Sequence, residues 1–431
     1  MLIEFTVGNY RSFDQPQTFS MVAEDGGKLR AQAVRDRAGL ALLNVSGVYG
    51  ANASGKSNLM EAFSFLRHLV ITSFQSRDPL AKIPVNRFAL HRRVGSVKLP
   101  ALFELSFTVG SGHDAEIFTY HVELTPERIE KEQLTIDDQV IFDRERQVFK
   151  QLNAHRIHEA TTKQKLTKAT TLFVSVLAAT DTKVGREVMS FFRNEFVVIN
   201  GLSDRISAFT KKMIEEGDKE ALLQRLRQVD LAINDLSIKH SQFSIVGPDS
   251  RAVDIEAVPA DIRADFLNES TRIQSSHAVY DDQGAIVGSQ SFDLERDESN
   301  GTQRFLNVLS PLLDALDYGK VVLADEFGAA MHPLMIRYLI GLFQNGQNQN
   351  GAQLIFNTQD VSTMDNETMR TDQIWFAEKD NREATRLLSL SDYRRNGKPI
   401  RPDLVFNRQY LKGTFGAVPL IREDFGGAAD E

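Results

Sequence analysis

The stretch Val45-Ser46-Gly47-Val48-Tyr49-Gly50-Ala51-Asn52-Ala53-Ser54-Gly55-Lys56-Ser57-Asn58-Leu59 decides the fold. Leu42, Leu43, Val45, Val48 and Tyr49 read as strand. Gly50 to Ser57 then fits G-x-x-x-x-G-K-[ST], and Leu59, Phe63, Leu66 and Val70 recur behind it at helical spacing. Strand, glycine-rich loop and helix, in that order, are the context this motif requires. Its two glycines let the backbone curl so that successive N–H groups face phosphate oxygens, while the helix presents its positive N-terminus to the same anion. Lys56 would then reach the β- and γ-phosphates of a nucleotide such as ATP, and the Ser57 hydroxyl would sit on Mg²⁺. The plainer alternative is a glycine-rich turn with a solvated lysine. The flanking strand and helix favour the phosphate loop, which makes Gly50, Asn52, Ser54, Gly55, Lys56, Ser57 and Asn58 the candidate nucleotide-binding set.

Working outward, Val321-Val322-Leu323-Ala324-Asp325-Glu326 is a continuous apolar run ending in two acids. Such runs mark buried parallel strands, and α/β sheets hold ligands at the carboxyl ends of those strands. Asp325 would hold Mg²⁺ from behind its first ligands, and Glu326 would polarise the attacking water. Any strand can end at an acidic turn, so the weight comes from the pairing with the phosphate loop. Lys56 and Glu326 lie about 270 residues apart, so two distant chain segments assemble one site with other material inserted between them.

A third element precedes the carboxylates by about 26 residues. Glu298-Ser299-Asn300-Gly301-Thr302-Gln303 leads into a helix over about 302–316 whose Phe305, Leu309, Leu312, Leu313 and Leu316 share one face. Ser299 and Gly301 at a helix N-terminus make a second anion cradle, or simply an ordinary serine cap with a turn glycine. Their order and spacing match ABC-type ATPases, in which such a signature touches the γ-phosphate held by the other protomer. On that reading one protomer cannot complete its own site, and nucleotide joins two copies.

The remaining candidates are less specific. Leu354-Ile355-Phe356 reads as another strand, and Gln359 follows it where ABC-type enzymes usually carry a γ-phosphate-sensing histidine. Glutamine can donate a hydrogen bond to phosphate but carries no charge, which implies slow turnover. Arg11 and Ser12 stand beside the nucleotide or in a surface turn. His332 is a helix-start hydrogen-bonder or a ligand. The basic run Lys163–Lys168 is a solvated face or a nucleic-acid contact.

Between these motifs, residues 80–145 read mainly as β, 145–195 as helical and basic, and Ser203 to about Ile238 as a helical hairpin broken near Gly217. Residues 240–290 read as polar, short-stranded and turn-rich. The expected division is an ATPase lobe with the phosphate loop and a β subdomain (1–200), a helical or irregular insertion (201–290), and a second lobe with the signature and carboxylates (291–431). The fold class expected from this order is α/β, similar to an ABC-type, RecF/SMC-like P-loop ATPase with an antiparallel β lobe and a helical insertion.

Composition sets limits. The 431 residues suffice for two or three domains, and 42% hydrophobic with 25% charged content is ordinary for a globular chain. With no cysteine, disulfides, zinc–thiolate sites and thiol catalysis are excluded. A net charge of −8 argues against coating nucleic acid over the whole surface, though a local basic groove stays compatible with it. No run approaches 18 apolar residues, and Glu4 interrupts the stretch a signal peptide would need, so a cytoplasmic protein without a membrane partner is expected.

The assembled residues resemble the ABC/SMC-like AAA ATPases of bacterial abortive-infection and phage-defence systems. These are the RloA/AbiLi-type ATPases and, more distantly, the ATPase of the PARIS system and the ATPase half of OLD nucleases. The resemblance rests on Phe5–Phe13, Tyr49–Leu59, Glu298–Thr302, Ala324–Phe327 and the ending Tyr410-Leu411-Lys412-Gly413-Thr414-Phe415-Gly416-Ala417-Val418-Pro419. Two positions depart from it: the family's Asp after the catalytic Glu corresponds to Gly328, and its usual His corresponds to Gln359. The resemblance implies an ATP- and Mg²⁺-dependent homo-oligomer that holds a separately encoded effector, often a nuclease, until a phage-derived trigger arrives. Only about 105 residues follow Glu326, too few for a Toprim nuclease of the OLD kind beside the remaining strands. Competing readings are a RecF/SMC-like DNA-repair ATPase clamping DNA, a scaffold with vestigial hydrolysis, and, remotely, a transporter subunit.

Overall fold

The computed structural model describes residues 1–25, 29, 33–75, 82–90, 99–200, 206–217, 219–240, 245–246, 252–253, 271–395, 398–400 and 404–419. It divides into two compact units, one formed by 1–198, 315–327 and 340–431, the other by 199–314 and 328–339.

The first unit is built on two sheets. Val45–Tyr49 is buried at all five positions, as its apolar sequence requires of a strand covered on both faces. It runs parallel to Gln353–Asn357 on one side and to Ile374–Lys379 on the other. Beyond Gln353–Asn357 lies the parallel strand Val321–Asp325, then Phe196–Asn200, while Thr385–Ser389 closes the other side antiparallel to Ile374–Lys379. The strands that end in Tyr49, Asp325 and Asn357 are therefore neighbours running in one direction. Gly47 lies where a Cβ would meet the Phe356 ring at 2.7 Å, so a glycine there lets the two strands carry an aromatic between them.

The second sheet is antiparallel and seven-stranded. Leu2–Gly8 pairs with Gln17–Ser20 and with Ala101–Val109; the meander then continues through Glu116–Leu124, Ile129–Ile136, Gln139–Glu145 and Val148–Leu152. Alternating burial along Ala101–Val109 follows the alternation in its sequence.

The helix Lys56–Thr72 buries Leu59, Met60, Ala62, Phe63, Leu66, Leu69 and Val70 in one hydrophobic core shared by both sheets. Phe63 stacks on Phe5 with ring centroids 3.8 Å apart, and Phe65 lies against Tyr10 and Phe103. Each fully buried Leu, Val, Met or Phe among them contributes about 1.5–3 kcal/mol.

Two polar clusters belong to the antiparallel sheet. Glu132 and Arg144 are fully buried and paired at 2.6 Å. Glu132 also accepts from the Tyr120 hydroxyl at 2.8 Å and from the amides of Phe173 and Val174, while Arg144 donates to the Thr171 carbonyl. Nearer the surface, His121 lies 2.8 Å from Glu104 and 3.1 Å from Glu123. Burial opposes its protonation, but hydrogen bonds and charge from both carboxylates outweigh that and push its pKa up to about 9. A histidine raised above its unfolded value stabilises the fold fully below about pH 6.5 and loses that contribution as pH rises through about 9. Thermal melts between pH 6.5 and 9.5 should fall less steeply for His121→Gln than for the parent. An NMR titration of His121 with a midpoint near its ordinary value would overturn this.

Further along this unit, residues 160–190 are helical as expected, in Ala160–Leu166, Phe173–Ala179 and Lys183–Ser190. The expectation of a solvated basic face holds for Lys165 and Lys168 but fails for Lys163. Lys163 is buried and donates to the His158 carbonyl at 2.7 Å.

The second unit opens with the helices Ala208–Glu216 and Lys219–Gln228, a hairpin broken near Gly217 as the sequence suggests. It ends about ten residues earlier than expected. Asp235–His240 instead joins the long hairpin Thr271–Tyr280 and Ile286–Asp293 in a three-stranded antiparallel sheet. Leu236, Ile273 and Ser275 turn inward there; the strands at 271–280 and 286–293 agree with the short-stranded reading of 240–290 but run longer, and the strand at 235–240 replaces the expected end of the hairpin. Among the described residues no helix is long and apolar enough to cross a membrane.

Candidate functional site: the phosphate loop and its carboxylates

The loop between Tyr49 and Lys56 is built around two glycines that tolerate no side chain. A Cβ on Gly50 would lie 2.3 Å from the Ala377 carbonyl oxygen, and one on Gly55 would lie 2.0 Å from the Thr385 hydroxyl. Gly55 also has φ +105° and forms the N-cap of the helix, so it turns the chain from loop to helix where an L side chain would be strained. The loop keeps a group unused: the buried Ser54 Oγ has no hydrogen-bond partner. Buried hydroxyls are normally satisfied. One left open in a cradle of backbone amides fits an incoming phosphate, which accepts such bonds.

Lys56 is 5% exposed and folds back over the loop, donating to the carbonyls of Gly50 at 2.8 Å and Ala51 at 2.9 Å. Burial lowers its pKa, and the negative charges of Glu326 and Asp325 counter that. The structure thus brings together three of the residues singled out in sequence, Lys56 from one side of the chain's 270-residue gap and Asp325 with Glu326 from the other.

How the two acids are held was not legible beforehand. Asn357, fully buried at the end of the neighbouring strand, donates its amide N–H to Asp325 Oδ1 and accepts the Glu326 backbone N–H on Oδ1 at 2.7 Å. Glu326 has φ +52°, the left-handed region that a non-glycine residue enters only when its surroundings fix it there. Gln359 donates to Glu326 Oε1 at 3.4 Å, a long bond that links the candidate base to the residue standing in the histidine position. A polar residue closing the apolar run Leu354-Ile355-Phe356 was the available signal for Asn357.

Arg11 and Ser12 prove to be joined to the loop. Ser12 Oγ accepts from Asn58 Nδ2 at 2.7 Å and from the Thr385 hydroxyl at 2.7 Å. Arg11 pairs with Glu61 on the same helix at 2.6 Å and approaches Asn58 Oδ1 at 3.5 Å. Thr385, unmarked in the sequence, also contacts the Ser54 carbonyl at 2.8 Å and so ties Ser12 to the loop.

Ser299 and Gly301 belong to the second unit. Ser299, an exposed residue at the start of the helix Asn300–Tyr318, has its hydroxyl engaged in the ordinary serine cap: Oγ accepts the Thr302 N–H at 3.2 Å and lies 2.9 Å from the Thr302 hydroxyl. Glu298, just before it, is held by Ser275 at 2.6 Å and His277 at 2.7 Å. The departure at Gly328 has a physical reason. Its φ is +85°, and a Cβ there would lie 2.4 Å from Ile336 Cδ1, so the Asp seen in the resembling proteins does not fit. His332 accepts the Leu334 N–H and serves as a helix-start hydrogen-bonder.

ATP and Mg²⁺ fit this residue set. Among the described residues no cluster of three or more His, Cys, Asp or Glu could hold a metal unaided, and Mg²⁺ characteristically completes its shell with substrate phosphates and water. The residues that would hold it are Ser57 and Asp325.

No curated protein matches the chain. Among solved structures it is similar to the SMC head domain from Thermotoga maritima, with 11% identity, 90% of this chain and 98% of that chain covered, and a TM-score of 0.38. It is similar to the same degree, 11% and 0.38, to the Smc head domain bound to the C-terminal domain of ScpA from Pyrococcus furiosus, covering 90% and 96%. A family profile described as "AAA domain, putative AbiEii toxin, Type IV TA system" matches residues 45–365, from the phosphate-loop strand past the carboxylates. With a parallel phosphate-loop sheet, an antiparallel sheet and an inserted second unit, the chain has an ABC-type P-loop ATPase fold and belongs to this AAA family.

Proposed function

We propose that the chain binds and slowly hydrolyses ATP, and that it does so as the sensor and scaffold of an anti-phage, abortive-infection system. The observation that carries the enzymatic part is the meeting of Lys56 with Asp325 and Glu326, two acids fixed by a single buried asparagine. Glu326 orients and deprotonates a water, Lys56 leaves its carbonyl partners for the phosphates, and Gln359 steadies the glutamate without adding charge. Mg²⁺, when bound, would neutralise phosphate charge as a Lewis acid. The exposed position of Ser299, at the N-terminus of the helix Asn300–Tyr318, supports a site completed by a second copy. The toxin–antitoxin description of the family and the resemblance to defence ATPases support a separately encoded effector, a nuclease by preference, held in the ATP-bound oligomer.

The test combines binding with composition. Lys56→Ala should weaken ATP by about 10–100-fold, the range expected for losing hydrogen bonds to a charged group. It should also abolish ATP-dependent assembly measured by light scattering. Unchanged affinity would remove the phosphate-loop assignment. Purification of the tagged protein with its native neighbouring gene products, in ATP and Mg²⁺, should recover a stoichiometric second protein. Recovery of a bare homodimer carrying DNA would replace the defence reading with a DNA clamp.

A further inference from the structure

The ending Tyr410–Pro419 has no part in the mechanism so far, yet it is built against the phosphate loop. The Ala417 carbonyl accepts the Ala51 N–H at 2.9 Å and the Tyr410 hydroxyl at 2.8 Å. The Ala417 N–H in turn donates to Glu378 Oε2 at 3.3 Å. Gly416, with φ +70°, passes so close to that carboxylate that a Cβ would lie 2.8 Å from it. Phe376 stacks on both Tyr410 and Phe415, which fixes the segment from the other side.

What this segment holds is specific. The Ala51 N–H belongs to the same peptide group as the Gly50 carbonyl on which Lys56 rests. One face of that peptide is tied to the segment, the other to the lysine. Segment, loop and the strand end Ala377–Lys379 line an open cavity of about 900 Å³, whose wall includes Asn52, Ser54, Gln359, Leu411 and the oppositely charged Glu378 and Lys379. The unpartnered Ser54 hydroxyl is in this wall, and so is Gln359, which donates to Glu326. The cavity therefore lies toward the carboxylate that would handle the attacking water, the end of the site where a third phosphate sits. Lys56 and Ser57, at the helix start, are not in its wall.

We propose that the Tyr410–Pro419 segment forms the terminal-phosphate wall of the nucleotide site, and that its Ala417–Ala51 bond makes the site prefer a nucleoside triphosphate to a diphosphate. This rests on the phosphate-loop reading above. The segment sets the Gly50–Ala51 peptide and the Asn52–Ser54 arm in place for the third phosphate, which Lys56 reaches from the other side of that peptide, while the backbone N–H groups at the helix start hold the first two independently of the segment. These are positioning residues; none touches the reacting atoms.

The test is calorimetric binding of a non-hydrolysable ATP analogue and of ADP, each with Mg²⁺, to the full chain. Gly416→Val should dislodge the segment, and Glu378→Ala should release the Ala417 N–H without adding bulk. Both should weaken the triphosphate about tenfold and leave ADP within about twofold, with circular dichroism unchanged. Equal weakening of both ligands by Glu378→Ala would reduce the segment to general support and overturn the proposal. So would unchanged binding of both. A parent protein that binds neither nucleotide would instead overturn the phosphate-loop reading itself.

Discussion

Glu326→Gln should hold ATP and fail to turn it over. The substitution keeps the side chain's size and its acceptor toward Gln359, and it leaves the backbone bond to Asn357 untouched. It removes only the ability to take a proton from water. General-base contributions run to about 10²–10⁴-fold, so kcat should fall by that factor while the affinity for ATP changes little. If nucleotide joins two copies, this variant should accumulate as the ATP-bound assembly, seen as a stable higher mass in multi-angle light scattering. Normal turnover would place the base elsewhere. Loss of ATP affinity in step with kcat would mean that Glu326 serves binding rather than chemistry.

The second large effect concerns stability. Glu132→Ala should cost about 3–5 kcal/mol, the range for removing one partner of a fully buried ion pair. Four groups lose their acceptor at once: the Arg144 guanidinium, the Tyr120 hydroxyl and the amides of Phe173 and Val174. Urea unfolding should show a midpoint far below the parent's. The double variant Glu132→Leu, Arg144→Met should recover part of the loss, because it buries no unpaired charge, but not all of it, because the two amides and the hydroxyl stay unsatisfied. A single variant within about 1 kcal/mol of the parent would show that this network does not support the sheet.

The phosphate loop, the apolar strand ending in Asp325 and Glu326, and the strand before Gln359 were all legible in sequence. Each is a local pattern: a motif with a fixed spacing, or an unbroken apolar run. Asn357, Thr385 and Glu378 were not. Their importance comes from pairing register, which puts Asn357 beside Asp325 and Thr385 beside Ser12 across some 370 residues of chain. No window of sequence contains both partners. The inserted unit was half legible for a related reason. Its helices carry a 3.6-residue apolar pattern, while the strands 235–240 and 271–293 alternate weakly among exposed polar residues. Lys163 was misjudged because composition reports a charge and not where its stem is packed.

The order of strands in the parallel sheet has a consequence for biosynthesis. The seven-stranded meander uses only residues 2–152, nearly all of it paired between sequence neighbours, and it can close while the chain is still being made. The strand Val45–Tyr49, by contrast, waits for partners that begin at residues 353 and 374. Until the ribosome has delivered them, this buried strand has no parallel neighbour on either side, although the helix behind it can already pack on the antiparallel sheet through Phe63 and Phe65. Pairings of such high contact order form late and slowly. The phosphate-loop strand therefore gains its parallel sheet only once residues 353–379 have been made, and a nascent chain halted before residue 353 carries the whole phosphate-loop motif on a strand without either neighbour.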